Sequence, residues 1–178
     1  MTAEPTVLLV DDSPNDALLM ATVFQRTGQM PPLRSVESGE EAIAYFSGTG
    51  RFGSRAEFPM PSIVLLDLNM PRKNGFEVLG WIRSQPAYNR IHVYILSASS
   101  RREDIERAHD LGANAYLVKP GNLDGLQSMA ETLVTWLKLG RFSAVDDPHE
   151  DLRRGVFDAG SHAHAHARAE PAGHRWLT

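Results

Sequence analysis

Cysteine is absent from the 178 residues. That excludes disulfides, thiolate nucleophiles and cysteine-ligated zinc, and it fits a reducing cytoplasm. Long apolar runs are absent too. None approaches the ~20 residues that span a bilayer. The start, Met1-Thr2-Ala3-Glu4-Pro5, has no basic stretch followed by an apolar one, so neither a membrane span nor a secretory signal is expected. An excess of basic charge is also missing: the formal net charge is −4 and the pI about 6.0. Nucleic acid is therefore not the default partner. The 42% apolar content suffices for one ordinary core, which bounds the chain at one domain with a tail, or two small ones.

What the chain does have is regular alternation. Thr6–Val10 reads as a buried strand, short and apolar without period-two alternation; Ser62–Leu66, His92–Leu96 and Ala115–Val118 read as further strands, and Leu33–Val36 as a weaker one. Between them lie segments with helical spacing. Ser13-Pro14 opens the first, with Ser13 as cap, Pro14 in the first turn and Asp16 three residues after the cap. Ala17, Leu18, Ala21 and Phe24 are its expected inward stripe, and Gly28 its stop. Gly39–Phe46 follows, with Ala42, Ile43 and Phe46 on one side. Asn74–Gln85 carries Asn74 and Glu77 at cap spacing. Ser100 and Glu103 resemble a capping box for a helix through Leu111, and Leu123–Leu139 presents Leu126, Met129, Leu133 and Leu137. Five strand–helix repeats predict an α/β fold, a parallel sheet with right-handed crossovers and helices on both faces. Ser47–Pro61 is longer than most connections and is a candidate contact loop. After Gly140 the pattern dissolves, giving a domain over 5–140 and a polar tail over 141–178, expected to be a mobile or partner arm.

Polar groups stand where the strands end. Asp11-Asp12 follows the first strand, Asp67 the third, Ser97 the fourth and Lys119-Pro120 the fifth. In an open parallel sheet these carboxyl ends share one edge, where ligands bind. Taken singly, each has an ordinary reading: a solvated turn, a helix cap, a loop hydroxyl, an exposed lysine. Jointly they gather three carboxylates, a hydroxyl and an ammonium. Two like charges ~4 Å apart repel by about 4 kcal/mol at an effective dielectric of 20. A bound cation relieves this, and hard oxygen donors suit Mg²⁺ better than zinc. One carboxylate could then attack phosphorus to give an acyl phosphate, with Lys119 balancing charge on the phosphoryl oxygens. Ser97 could bond the phosphoryl group only once it is present, which is the logic of a switch.

The strings VLLVDDS, IVLLDLNMPRKNGFEVL, YILSAS and AYLVKP resemble the two-component response regulator receiver domain, the chemotaxis-regulator-like version of the flavodoxin-like fold. The resemblance covers roughly Thr6 to Leu139, and the intervals from Asp67 to Ser97 and from Ser97 to Lys119 are those of the family. It implies a doubly wound five-stranded parallel sheet of order 2-1-3-4-5. It implies Asp67 as phosphoacceptor, with Mg²⁺ held by Asp12, Asp67, the main-chain carbonyl of Asn69, and Asp11 through water. Ser97 would be the switch hydroxyl, Lys119 the phosphoryl contact and Tyr116 the aromatic whose rotamer follows phosphorylation. Pro71 and Gly75 match the turn after the acceptor. Pro120 matches a position where a cis peptide holds the lysine.

The interval from Asp12 to Asp67 is longer than usual for the family, the excess falling in Ser47–Pro61. With DLNMPRKNGFEVL, this is similar to single-domain regulators paired with phytochrome-type histidine kinases. The implied function is Mg²⁺-dependent acceptance of a phosphoryl group from a sensor histidine kinase. It would act through protein contact or as a phosphate sink, without a DNA-binding output, and autophosphatase activity would accompany it. A homodimer through the face formed by the fourth helix, fifth strand and fifth helix is expected, with Trp136 and Leu139 contributing; neither nucleic acid nor membrane is an expected partner. A rival is a haloacid dehalogenase-type phosphatase using Asp67 as nucleophile, but its second aspartate is replaced by Asn69, which cannot exchange the needed proton. A flavodoxin-like cofactor binder is disfavoured because Asp11-Asp12 would repel a flavin phosphate. His162, His164 and His166 alternate and would share a face if extended; the plainer reading is an unstructured tract. Arg101-Arg102 reads as a solvated helix start.

Overall fold

Strands buried on both faces need a helix layer on each, and the computed structural model shows how the chain supplies them. It describes residues 6–28, 32–138 and 156–157. The elements run β1 (Val7–Val10), α1 (Pro14–Thr27), β2 (Leu33–Val36), α2 (Gly39–Ser47), β3 (Ile63–Leu66), α3 (Gly75–Ser84), β4 (His92–Ser97), α4 (Arg102–Asp110), β5 (Ala115–Val118), α5 (Leu123–Lys138) and β6 (Val156–Phe157). All pairings are parallel, in the order β2-β1-β3-β4-β5-β6. The expected five parallel strands in the order 2-1-3-4-5 are present, and a two-residue strand, β6, is added beside β5. β6 pairs with the outer edge of β5 through Tyr116↔Val156 and Leu117↔Phe157, supplying partners to backbone groups that an edge strand otherwise leaves open. The rest of the 141–178 tail, its histidines included, lies outside the described residues, as do Leu139 and the side chain of Trp136.

Alternate strand residues feed two cores. Leu8, Val10, Val64, Leu66, Val93, Ile95 and Tyr116 pack beneath α2, α3 and α4. Val7, Leu9, Ile63, Leu65, Tyr94, Leu96 and Leu117 pack beneath α1 and α5. α1 is turned from the expected stripe. Leu18 is 70% exposed, while Met20, Val23 and Phe24 are buried. The buried face runs 20-23-24 along the helix, and the partly exposed Asp16 stands one turn ahead of Met20. In α2, Tyr45 is buried together with Ala42 and Phe46, and Ile43 is only partly covered. In α3 the Asn74–Glu77 capping box forms in both directions. The box expected at Ser100 and Glu103 does not form. The helix begins later, at Arg102, with no side-chain cap at Arg101; Ser99 instead accepts from the Arg101 amide and donates to Asp104 at 2.6 Å.

The long connection after α2 is a packed structure. Phe52 is 4% exposed, and its ring lies 5.2 Å from both Tyr45 and Phe58. Tyr45 donates its hydroxyl to the Pro59 carbonyl. Arg55 reaches back to the Tyr45 and Phe46 carbonyls, at 2.8 and 2.6 Å, adding a donor to carbonyls that also accept from the Gly48 amide and the Tyr88 hydroxyl.

At the same, N-terminal edge of the strands, Arg83 ties three segments together. It donates to the Gly112 carbonyl (2.8 Å), the Ile91 carbonyl (3.0 Å) and Asn114 Oδ1 (2.8 Å), and Asn114 Oδ1 also accepts from the Val93 amide. Arg83→Ala removes all three donors from part-buried acceptors, of which Asn114 Oδ1 keeps the Val93 amide. Urea unfolding of this variant should show a loss of about 2–4 kcal/mol. Arg83→Lys should recover little, because one ammonium cannot span the fork's geometry.

Candidate functional site

Register decides what meets at the C-terminal edge. Val10 pairs with Leu66, Leu66 with Ile95, and Ser97 with Val118. Asp11 and Asp67 therefore leave their strands side by side, their amides donating to the Val36 and Val10 carbonyls. Lys119 follows Val118, and its amide donates to the Ser97 carbonyl at 2.8 Å. Asp11, Asp12, Asp67 and Lys119 meet at this edge, and Ser97 ends the strand beside Val118.

Asp11, Asp12 and Asp67 each offer a carboxylate oxygen within 4.8 Å of the others. Asp11 and Asp67 are buried and Asp12 is exposed, so the cluster opens to solvent on one side. Three hard oxygen donors of like charge in this space fit a divalent cation of the Mg²⁺ or Mn²⁺ type. Asp11 Oδ1 accepts from the Ser13 amide and Asp67 Oδ1 from the Asn69 amide, bonds that fix both carboxylates on the turns following their strands.

Lys119 Nζ sits among three acids, 2.7 Å from Asp11, 2.9 Å from Asp16 and 3.4 Å from Asp67. Burial works against its ammonium, but the hydrogen bonds to Asp11 and Asp16 and the charges of Asp67 and Asp11 outweigh this and hold its pKa above the ordinary lysine value. Asp67 shows the opposite balance. Burial, aided by the charge of Asp11, pushes its carboxyl above the usual range despite Lys119 and the Asn69 amide.

Ser97 is fully buried, and its hydroxyl accepts from the Ser99 amide at 3.2 Å. Tyr116 is also fully buried and donates to the Ser99 carbonyl at 2.9 Å. Ser99 thus contacts Ser97, Tyr116 and, through Asp104, the first turn of α4. Gly75 explains itself sterically. A Cβ there would strike the Asp67 carbonyl oxygen and stand 2.8 Å from the Leu68 Cα. In the Pro71–Asn74 turn, Arg72 adopts φ +62°. Pro120 departs from expectation: no peptide bond is cis among the described residues, so Lys119–Pro120 is trans.

Two residues here escaped the reading of the sequence. Asp16 was legible only as a helix-start acid, and Ser99 only as part of YILSAS. The signal for Asp16 was its place at the head of a face otherwise filled by Met20 and Val23, where an acid needs a partner.

The model of the "Response regulator receiver domain" matches residues 7–131. The chain belongs to this family. Response regulator Rcp1 of Synechocystis sp. is 34% identical over 133 residues, 74% of this chain and 88% of Rcp1. The Mn²⁺-bound form of Rcp1 superposes with a TM-score of 0.65 at 32% identity, over 79% of this chain and 96% of that one. The phosphorylated cyanobacterial phytochrome response regulator RcpA gives 0.68 at 34% identity, over 75% and 94%. Response regulator RPA3017, of red light signaling in R. palustris, gives 0.70 at 39% identity, over 74% and 92%. The phosphatase alternative finds no support in this receiver family match. No helix among the described residues is long and apolar enough to cross a membrane.

The raised pKa of Asp67 carries a stability consequence for this receiver. Ionising Asp67 costs folding free energy above its folded pKa, and the cost vanishes below the unfolded value of about 4. In metal-free buffer Asp67→Asn should therefore be more stable than wild type at neutral pH. The advantage should shrink as pH falls through the carboxylate range, which paired urea titrations at neutral pH and at about pH 3 would measure.

Proposed function

We propose that this receiver takes a phosphoryl group from a sensor histidine kinase onto Asp67, in a reaction that requires Mg²⁺. The observation that carries this reading is the meeting of Asp11, Asp12 and Asp67 within 4.8 Å, with Lys119 Nζ 3.4 Å from the Asp67 carboxylate. Asp12 and Asp67, the Asn69 carbonyl, and Asp11 through water would hold the cation. When bound, the cation neutralises the carboxylates and the oxygens of the transferring phosphoryl group.

An Asp67 oxygen attacks phosphorus, forming an O–P bond as the bond from phosphorus to the kinase imidazole breaks and the imidazole leaves with the electron pair. Lys119 supplies N–H donors to the phosphoryl oxygens. Ser97 then turns its hydroxyl to the same group, exchanging its bond from the Ser99 amide, and Tyr116 fills the space released. This order of events uses contacts that differ between the two states, as a switch requires. Pro71 and Gly75 keep the turn after Asp67 close to it. The changed surface comprises α4, β5 and α5, where we place a homodimer contact. The likeness to RcpA and RPA3017 supports a phytochrome-type kinase as the donor. The receiver occupies 5–140, and hydrolysis of the acyl phosphate resets it.

Radiolabelled acetyl phosphate tests the assignment directly. Wild type should take up label only with Mg²⁺ present, and Asp67→Asn should take up none; labelling of that variant at the wild-type level would remove Asp67 as acceptor. Asp12→Ala should weaken Mg²⁺ binding at least ~10-fold by calorimetry, since loss of one charged ligand to a hard cation is worth more than 1.4 kcal/mol.

A further inference from the structure

Asp16 stands outside the set of residues assigned above, yet it reaches the centre of the site. It is the third residue of α1, and its amide is capped by the Ser13 hydroxyl at 3.2 Å. In a reciprocal capping box its carboxylate would turn back to the Ser13 amide. That amide instead donates to Asp11 Oδ1. The Asp16 carboxylate is thereby left to cross to β5 and accept from Lys119 Nζ at 2.9 Å.

An ammonium has three N–H donors and no acceptor. Asp11 takes one at 2.7 Å and Asp16 a second. The third is left for Asp67, whose Oδ2 lies 3.4 Å away. A cavity of about 60 Å³ is lined by Asp11, Asp16 and Lys119 together with apolar side chains that include Met20, Leu96 and Leu126. A lysine stem is flexible, and this space gives it room to swing away from Asp67. Asp11 alone restrains one donor and leaves that rotation open.

We infer that Asp16 is a positioning residue for phosphoryl transfer, holding Lys119 so that its remaining N–H meets the oxygens of the group arriving at Asp67. The inference rests on Asp67 as the acceptor. Asp16 touches neither donor nor acceptor and acts through Lys119. With acetyl phosphate, the Asp67 O–P bond forms while the acetyl O–P bond breaks and acetate departs. Asp16 takes no part in these bond changes. Its charge also offsets part of the lysine's, which opposes the positioning effect. That opposition is weak, because the Asp16 side chain is 46% exposed and screened by water.

The full chain is used for the test, with Asp16→Ala, Asp16→Asn and Asp16→Glu, each alone and combined with Lys119→Ala. Labelling by acetyl phosphate is followed across donor concentrations, for longer times where Lys119 is absent. Asp16→Ala and Asp16→Asn should lower the maximal rate about fivefold, with the half-saturating donor concentration and the Mg²⁺ affinity unchanged. Asp16→Glu should recover most of the rate. In the Lys119→Ala background, loss of Asp16 should have no further effect, since two residues acting through one contact are not additive.

A metal-free readout stands beside these rates. The chain has three lysines, Lys73, Lys119 and Lys138, so isotopically labelled lysine resolves the Lys119 ammonium by NMR. Its signal should be protected from solvent exchange in wild type and lose protection in Asp16→Ala. Asp16→Asn keeps the volume of the side chain and serves if the alanine variant does not fold. A folded Asp16→Asn labelling at or above the wild-type rate overturns the inference, and so does an equal drop with Lys119 already removed. A wild-type chain that takes no label overturns the acceptor assignment and this inference with it. A labelled wild type with an indifferent Asp16→Asn overturns this inference alone.

Discussion

Repulsion among carboxylates at one sheet edge is the constraint around which this receiver is arranged. Asp11 and Asp67 are buried beside each other, Asp12 stands next to them in the open, and Asp16 approaches from α1. Each like-charged pair at ~4 Å costs about 4 kcal/mol at an effective dielectric of 20. One ammonium, Lys119, answers three of the four. The balance is incomplete, since Asp67 keeps a raised pKa. A site left short of positive charge favours whatever brings more of it, and a divalent cation does so. The same shortage explains why the acids lie at strand ends, where backbone amides at Ser13 and Asn69 can also donate to them.

Where an element is specified by its own residues, the sequence displayed it clearly. β1, β3, β4 and β5 are apolar without alternation because both their faces are covered, whereas β2, at the sheet edge, exposes Arg34 and Ser35. The Asn74–Glu77 box formed because both partners lie within one helical turn. The convergence of Asp11, Asp12, Asp67 and Lys119 was readable because parallel connectivity sends every strand's carboxyl end to one side. What stayed hidden depends on contacts between segments. Leu18 and Met20 have equal claims to a helix stripe, and the choice falls to Met20 through the rotation that brings Asp16 to Lys119. β6 needs an open edge on β5, which no local pattern announces. Ser99 becomes a junction only when Tyr116 and Asp104 arrive from elsewhere.

α4 shows how local charge can leave an element lightly held. Among its residues only Ala108 is fully buried, with Ile105 and the following Leu111 packed partly against the core. Arg107 lies over the Phe76 ring, 4.2 Å from its centre. The start of the helix hangs on Ser99 and Asp104 rather than on a cap of its own. An element with little apolar anchorage is a low-stability unit that small changes can shift. The residue it hangs on is also the one bonded to Ser97 and Tyr116.

The Arg55 clamp has a consequence for how such proteins diversify. The segment between α2 and β3 closes upon itself: its arginine seats on the α2 carbonyls, its phenylalanines pack on Tyr45, and β3 resumes at Ile63 in register with β1. A self-contained excursion of this kind leaves the strands it joins undisturbed. It could be lengthened, trimmed or transplanted into a shorter relative as a cassette, giving the molecule a surface that varies independently of its chemistry.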